Sequence, residues 1–341
     1  RMVLRSNGIE TRHYAIDPVS LQPTHTNAQT TAEAVRRLEG VALDEVSCLA
    51  CGTSLPDQIM PNHAVMVQGE LAMPAAEVAA TSGICLSGLT ALKYAWMAVA
   101  SGQHEQAVAT GSEVASALTH AANFSAERDE EVEALGRRPE LAFDKDFLRW
   151  MLSDGAGAVL LEPAPREGGV NLRVDWIDIA SHAGEMPACM YAGAVKREDG
   201  GLTGWMRMDR EARDAQSALA VKQDVKLLNE HVIRYTLEKT LAPIVARRGL
   251  RPEGIDFFLP HYSSSFFRDR VKAGLEAVGF PIPQERWFIN LATRGNTGAA
   301  SIYIMLDELV RSGRVERGRT LLCWVPESGR FSGGFMHLTA V

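Results

Sequence analysis

The two ends of this chain carry distorted copies of one sequence pattern, and this internal repeat constrains the fold more than any other feature. In each copy an acidic residue opens an apolar strand, at 44–50 and again at 255–261. A turn of small residues then runs into an apolar helix, at Thr81–Cys85 and at Thr293–Thr297, and two further strands follow. The repeated unit is too long for a solenoid. It therefore predicts a duplicated, pseudo-twofold α/β fold with its site between the halves.

The alternation of strand and helix predicts mostly parallel sheets covered by helices. The segment 86–100 is apolar nearly all round, which is typical of a helix buried at the centre of a protein. The second half is expected to begin with a strand at 204–208 and a long helix at about 209–248. The first half shows no such strand, and we expect its counterpart to precede Arg1. Three parts are predicted. The N-terminal half covers 1–165 and carries an insertion at about 115–150, a glycine-rich connecting or cap region covers 166–205, and the C-terminal half covers 206–341.

Composition excludes several classes of protein. A chain of 341 residues with 46% hydrophobic content can bury a large core. Its net charge of -7 and dispersed basic residues argue against nucleic acid as a ligand. It has neither an 18-residue apolar run nor a signal-peptide or lipidation motif, so no membrane association is expected. Five cysteines in a chain of this size are typical of reduced thiols, which predicts a cytoplasmic protein.

Cys85 is the first candidate for chemistry. It lies in the run Gly83-Ile84-Cys85-Leu86-Ser87-Gly88, where small residues flank a cysteine between an extended segment and a helix. This is the pattern of a nucleophile elbow, and the helix N-terminus is expected to lower the pKa of the thiol. The alternative is a buried thiol that only packs. Cys48 and Cys51 have C-x-x-C spacing but lie in an apolar strand, which favours core packing over metal or redox work.

Two polar residues of the second copy are candidate partners. His261 follows an apolar strand and precedes a polar turn, the place where α/β folds carry working residues. Asn296 lies in the second copy of the turn, at a position equivalent to the Cys85 region of the first copy. Without the repeat, Asn296 could be only a helix cap or a turn residue, and its equivalence to the Cys85 region is what makes it a candidate site residue.

Taken together, six motifs resemble the β-ketoacyl-acyl-carrier-protein synthase III family, which has the thiolase fold. In chain order they span most of the sequence: Gly8–His13, the Cys85 turn, Asp154–Ala158, Pro260–His261, Gly295–Ser301, and Gly313–Val315 with Gly318. The resemblance implies a five-layer α-β-α-β-α sandwich. It also implies that Cys85 is the acylated nucleophile, with His261 and Asn296 completing a Cys-His-Asn triad.

The resemblance implies a condensing enzyme. Cys85 would take an acyl group from a thioester and form a carbon–carbon bond with a malonyl- or β-ketoacyl-thioester by Claisen condensation. The backbone N–H groups of Cys85 and Gly329 would hold the acyl oxygen, and His261 and Asn296 would donate to the enolate. Substrates would be carried on coenzyme A or an acyl carrier protein, with no metal and no other cofactor. The related enzymes are homodimers, which would place Met60 in the partner's acyl tunnel.

The closing loop departs from the family pattern. It reads Pro326-Glu327-Ser328-Gly329-Arg330-Phe331, with fewer glycines and more polar residues than the family carries. The chain looks closer to the secondary-metabolism branch that joins two acyl chains in dialkylresorcinol or pyrone pathways. Glu327 is a candidate general base, and the alternative is an ion pair with Arg330 or Arg294 that braces the loop.

Two other functions stay open at this point. One is an acyltransferase that passes the acyl group to an oxygen or nitrogen nucleophile, a reaction that does not need Asn296 as an enolate donor. The other is a non-catalytic partner subunit of a ketosynthase, against which the intact Cys, His and Asn argue.

Overall fold

The structure is a computed structural model, and it describes residues 7–119, 148 and 150–341. The first half contains four helices and four strands in these residues, in this order: α1 (Asn27–Arg36), β1 (Cys48–Thr53), α2 (His63–Leu71), β2 (Glu77–Ser82), α3 (Leu86–Ala100), β3 (Ala107–Glu113), α4 (Ala115–Thr119) and β4 (Gly155–Leu161). The predicted insertion at about 115–150 lies largely outside the described residues.

The remaining elements follow in chain order: β5 (Leu172–Ser181), β6 (Met190–Tyr191), β7 (Ala194–Lys196), β8 (Leu202–Gly204), α5 (Arg210–Ala215), β9 (Lys222–Gln223), α6 (Val225–Ile233), α7 (Lys239–Arg248), β10 (Phe257–Pro260), α8 (Arg268–Ala277), α9 (Leu291–Arg294), α10 (Ser301–Arg311), β11 (Thr320–Glu327) and β12 (Ser332–Ala340).

Two four-stranded sheets form the frame. The first has the order β2-β1-β3-β4, with β1 parallel to both β2 and β3 and β4 antiparallel to β3. The second has the order β10-β11-β12-β5, with only β10 and β11 parallel. The sheets are therefore mixed, where the sequence predicted mostly parallel ones. The equivalent positions of β1, β3 and β4 in one sheet and β10, β11 and β12 in the other follow the internal repeat.

The buried apolar side chains form three clusters, and these define five layers. One cluster lies between the first sheet and α1 and α2, and it includes Leu49 and Val67. A second lies between the two sheets around α3 and α10, with Leu89 and Leu306 among its members. The third lies between the second sheet and α6, α7 and α8. The α-β-α-β-α sandwich is thereby confirmed, with α3 buried at the centre as its all-round apolar sequence predicted.

Two predictions about the connecting region are wrong. β5 pairs with β12 over Leu172–Ser181, so this part of the predicted cap at 166–205 belongs to the second sheet. Pairing of strands so distant in sequence leaves no local signal, and only the fold shows it. The strand expected at 204–208 is instead a 3₁₀ turn at Trp205–Arg207.

The long helix expected at about 209–248 is present only in part: α5 ends at Ala215, residues 216–224 are not helical and include β9, and the helical segment resumes at Val225. A π-helical turn at Arg234–Glu238 joins α6 to α7. Such a turn frees a backbone carbonyl from the helical ladder, and the carbonyl of Thr236 accepts a hydrogen bond from the Trp324 indole at 2.9 Å. The π-helical turn thus connects α6 and α7 to β11 through this hydrogen bond. In the described part of the chain, no helix is both long and apolar enough to cross a membrane.

Candidate active site

Cys85 lies where a strand of the first sheet gives way to the central helix. β2 ends at Ser82, and Cys85 immediately precedes α3. The turn between them is fixed by its own hydrogen bonds, since the Ser87 hydroxyl donates to the carbonyl of Ile84 at 2.7 Å. The Thr81 hydroxyl donates to the carbonyl of Ser87 at the same distance. The elbow predicted from the small residues is present.

His261 and Asn296 come from the second half. His261 follows β10 directly and is buried, and its backbone N–H donates to the carbonyl of Trp324 at 2.9 Å. Asn296 is also buried and is held by the first half. Its N–H donates to Met151, at 2.9 Å, and its carbonyl accepts from Ser153, at 2.8 Å. The side-chain Oδ1 of Asn296 accepts the N–H of Gly298 at 3.0 Å, which turns the Nδ2 hydrogens to the other side.

The motif Gly8–His13 supports the loop that carries Asn296. The backbone N–H groups of Glu10 and Thr11 both donate to the carbonyl of Ala292, at 2.8 and 3.1 Å. The N–H of His13 donates to the Ser153 hydroxyl at 2.8 Å. The motif therefore positions the second copy of the turn from outside and does not enter the site.

A cavity of about 360 Å³ brings the candidate residues together. Five of them line it: Cys85, His261, Asn296, Glu327 and Gly329. The rest of the wall is mainly apolar and comes from both halves and from the ribbon of β6 and β9, with these side chains among its members: Met151, Met190, Val221, Leu228, Val232 and Ile233. An enclosed apolar space with a few convergent polar groups at one end is the usual form of a small-molecule site.

The site disfavours charge on both the thiol and the imidazole. Burial lowers the pKa of His261 to about 4, so this ring is neutral at pH 7. The pKa of Cys85 is raised, first by burial and then by the negative charges of Glu113 and Glu327. The expectation of a lowered thiol pKa is therefore wrong. The helix N-terminus is present, but loss of solvent and two nearby carboxylates outweigh it.

Glu113 is a cavity residue that the sequence reasoning missed. It ends β3, and its carboxylate accepts hydrogen bonds from the Ser54 N–H and hydroxyl, at 3.1 and 2.6 Å, and from the Ala299 N–H, at 3.2 Å. Burial nevertheless raises the pKa of Glu113 to about 7. The available signal was an acidic residue at the end of a strand of small and apolar residues, in Ala107–Glu113.

Glu327 contacts the elbow itself. Its Oε2 accepts the N–H of Ile84 at 2.8 Å. A Cβ on residue 83 would lie only 2.9 Å from this Oε2, so Gly83 leaves the space that the carboxylate fills. Burial raises the pKa of Glu327.

The alternative role foreseen for Glu327, an ion pair with Arg330 or Arg294, is not what the structure shows. Arg330 donates to the carbonyl of Met186 at 3.0 Å, and Arg294 pairs with Glu308. Among the residues that the structure describes, the carboxylate is thus held by the Ile84 N–H of the opposite half and not by a cation.

The other candidate residues lie away from the cavity. Met60 is 82% exposed, and its place in a partner's tunnel stays a prediction. Cys48 and Cys51 are fully buried in β1, as core packing requires, and Cys189 and Cys323 are buried as well. At the far end of β1, Cys48 lies near Glu77 and His104. Both oxygens of Glu77 accept hydrogen bonds there, from Tyr94, Gln103 and His104.

Two family models match complementary parts of the chain. Residues 58–166, which contain Cys85, match the beta-ketoacyl synthase N-terminal domain. Residues 245–337, which contain His261 and Asn296, match the C-terminal domain of 3-oxoacyl-[acyl-carrier-protein] synthase III. One match thus lies in each of the two halves that the repeat and the sheets define.

Solved structures share the fold at low identity. β-Ketoacyl-[acyl-carrier-protein] synthase III of Thermus thermophilus matches with a TM-score of 0.70 and 22% identity, over 99% of this chain and 89% of its own. OleA of Xanthomonas campestris matches with a TM-score of 0.74 and 17% identity, over 98% of this chain and 86% of its own. AbyA1, a tetronic acid condensing enzyme, matches with a TM-score of 0.73 and 19% identity, over 97% of this chain and 88% of its own. With both halves matched by family models, the chain belongs to the ketosynthase III-like condensing enzymes, acyltransferases of the thiolase fold related to β-ketoacyl-acyl-carrier-protein synthase III.

Proposed function

We propose that this protein takes an acyl group from a thioester onto Cys85 and then joins it to a malonyl- or β-ketoacyl-thioester by Claisen condensation. The observation that carries the proposal is the single apolar cavity that Cys85, His261 and Asn296 share. A nucleophile and two neutral donors are the groups that acyl transfer followed by enolate formation needs.

The first half-reaction uses the elbow. Attack of the Cys85 sulfur on a thioester carbonyl gives an acyl-enzyme and a free carrier thiol. The developing oxyanion would be held by the N–H groups of Cys85 and Gly329, since both residues line the cavity and Gly329 lies next to the elbow, against Ile84. The apolar wall would take the alkyl part of the acyl group.

The second half-reaction uses the other two residues. When the extender loses carbon dioxide, an enolate oxygen develops, and hydrogen-bond donors that carry no charge of their own stabilise it. His261 is neutral because its pKa is about 4, and Asn296 turns its Nδ2 hydrogens away from Gly298. A β-ketoacyl extender has no carboxyl group to lose, so a base must take its α-proton to form the enolate, and Glu327 is the candidate.

The cavity and one of the relatives support a long alkyl chain as the substrate class. A structure of OleA of Xanthomonas campestris contains lauric acid and lauroyl-CoA. The mainly apolar wall of this cavity suits a similar alkyl chain, carried on coenzyme A or an acyl carrier protein. We further propose that the enzyme acts as a homodimer in the cytoplasm, and that it joins acyl chains in a secondary-metabolite pathway.

Intact-protein mass spectrometry tests the proposal. Incubation with lauroyl-CoA should add one lauroyl group to the wild type and none to Cys85→Ala, because the other four thiols are buried. Addition of malonyl or β-ketoacyl carrier should then remove the group and yield a product with a new carbon–carbon bond. Acylation that persists in Cys85→Ala contradicts the proposal. Transfer of the acyl group to an alcohol or amine alone would support the acyltransferase alternative, and absence of any loading would support a partner subunit.

A further inference from the structure

The carboxylate of Glu327 occupies the N-terminus of the nucleophile helix. Its Oε2 accepts the N–H of Ile84, the residue before Cys85, at 2.8 Å. Glu327 ends β11 of the second half, whereas the elbow belongs to the first half. The contact therefore crosses between the halves next to Cys85, and it leaves the N–H of Cys85 for the substrate oxygen.

Two acidic groups, the Cys85 thiol and the Glu327 carboxyl group, therefore compete for stabilisation of their anions by the N-terminus of α3. The unpaired N–H groups at a helix N-terminus favour one negative charge close by. In a cysteine nucleophile this charge is the thiolate. Here a carboxylate already lies at this position, and the pKa of Cys85 is raised first by burial and then by the charges of Glu113 and Glu327. The resting site consequently holds a thiol beside a carboxylate, and the thiol must lose its proton before it can attack.

We propose that Glu327 is the proton partner of Cys85, an inference that rests on the proposed acyl loading. The proton of the Cys85 thiol passes to the Glu327 carboxylate as the sulfur forms its bond to the thioester carbonyl carbon. The net charge of the site does not change in this transfer, so the helix N-terminus stabilises the anion in either form.

The same proton completes the exchange. When the tetrahedral intermediate collapses, the bond between the carbonyl carbon and the carrier sulfur breaks, and the leaving thiolate takes the proton from Glu327. The products are the Cys85 thioester and a free carrier thiol, with the carboxylate restored. No proton enters from or leaves to solvent.

The other titratable groups that face the thiol are less suited to this task. His261 has a pKa of about 4, which makes its ring a weak base. Glu113 has both oxygens bound, by the Ser54 donors and the Ala299 N–H. Of these three side chains, Glu327 is the one that accepts a backbone N–H of the elbow, that of Ile84 next to Cys85.

Glu327→Gln separates proton transfer from charge, because its amide oxygen can still accept the Ile84 N–H while the charge is removed. Two rates are measured: alkylation of Cys85 by iodoacetamide and loading from lauroyl-CoA, both by intact mass. Alkylation needs only thiolate, and it should become about tenfold faster at pH 7.5, the effect of one pKa unit. Loading should become slower, by about 10²-fold or more. Faster loading in parallel with alkylation would overturn the inference and leave Glu327 with a purely electrostatic effect.

The pH profile of loading separates proton transfer from bracing. Wild-type loading should fall as pH decreases through the raised pKa of Glu327, since the protonated acid accepts no proton. Glu327→Gln should lose this acidic limb, and Glu113→Gln should keep it. The inference is overturned if Glu327→Gln keeps the acidic limb at reduced amplitude. It is also overturned if Glu113→Gln loses the limb. If the wild type itself never loads, the proposed function fails; if it loads and only these profiles disagree, the inference about Glu327 fails alone.

Discussion

Main chain of the two halves meets in close contact at Gly88 and Gly111, and a side chain placed there should cost measurable stability. The carbonyl oxygen of Ala299, just before α10, would lie 2.1 Å from a Cβ placed on Gly88 and 2.2 Å from one on Gly111. Ordinary contact for a Cβ begins near 3.4 Å, so Gly88→Ala must push the two backbones apart by about 1.3 Å. Neither backbone can rotate away, because Gly88 lies in α3 and its carbonyl accepts the Tyr303 hydroxyl at 2.8 Å.

The expected size follows from the overpacking involved. Forcing one methyl group into a filled core costs about 1–3 kcal/mol, and a clash with backbone belongs at the upper end, about 3 kcal/mol. Unfolding of a chain this long has an entropy of about 0.7 kcal/mol per kelvin, so the melting temperature should fall by about 4 °C.

Differential scanning calorimetry checks this value. Gly69→Ala is the matched control, since Gly69 lies in α2 with open space around its Cβ position. Alanine there should raise the melting temperature by about 1 °C, because it gains up to 1 kcal/mol of helix propensity. Because Gly88 links the Cys85 helix to the Asn296 turn, its variant should also lose activity. The reasoning is refuted if Gly88→Ala melts within 1 °C of wild type.

Three further predictions concern the reaction and the assembly. Asn296→Asp should load normally but condense about 10²–10³-fold more slowly, because a carboxylate repels the enolate; equal loss of both steps in mass spectrometry speaks against this role. The condensation rate of preloaded enzyme should show no inflection from His261 between pH 5.5 and 8, because its pKa is about 4 and its ring is neutral throughout; an inflection near pH 6.5 that disappears in His261→Asn contradicts this. Wild-type protein should be a dimer by light scattering at micromolar concentration, and Met60→Glu should weaken the dimer or the loading of long chains. A wild-type monomer rules out the expected role of Met60.

Local patterns predicted the elements that position the site. The helix over Leu86–Ala100 has the predicted bounds, because the apolar pattern that marks a helix acts within a few positions. The internal repeat then supplied what no local pattern could, the pairing of the Cys85 turn with the Asn296 turn. The edge strand β5 escaped prediction because it joins a sheet whose other strands begin at Phe257.

The electrostatics of the site were the least predictable part. The sequence placed Cys85 at a helix N-terminus, and this alone lowers the pKa of a thiol. The opposite shift arises from burial and from Glu113 and Glu327, which reach the sulfur from two other strands. Only the three-dimensional arrangement shows that these carboxylates and the thiol share one cavity.

The matching turns of the two halves have a consequence for how such a site can arise. In a pair of identical subunits related by a true twofold axis, the residue at the equivalent turn is the same on both sides. Two thiols or two amides would then face each other. Here the two turns belong to one chain, so Cys85 can be the nucleophile in one while Asn296 is a hydrogen-bond donor in the other. Joining the copies covalently is what permits this division of labour, and each half retains the strands and helix that its own turn needs.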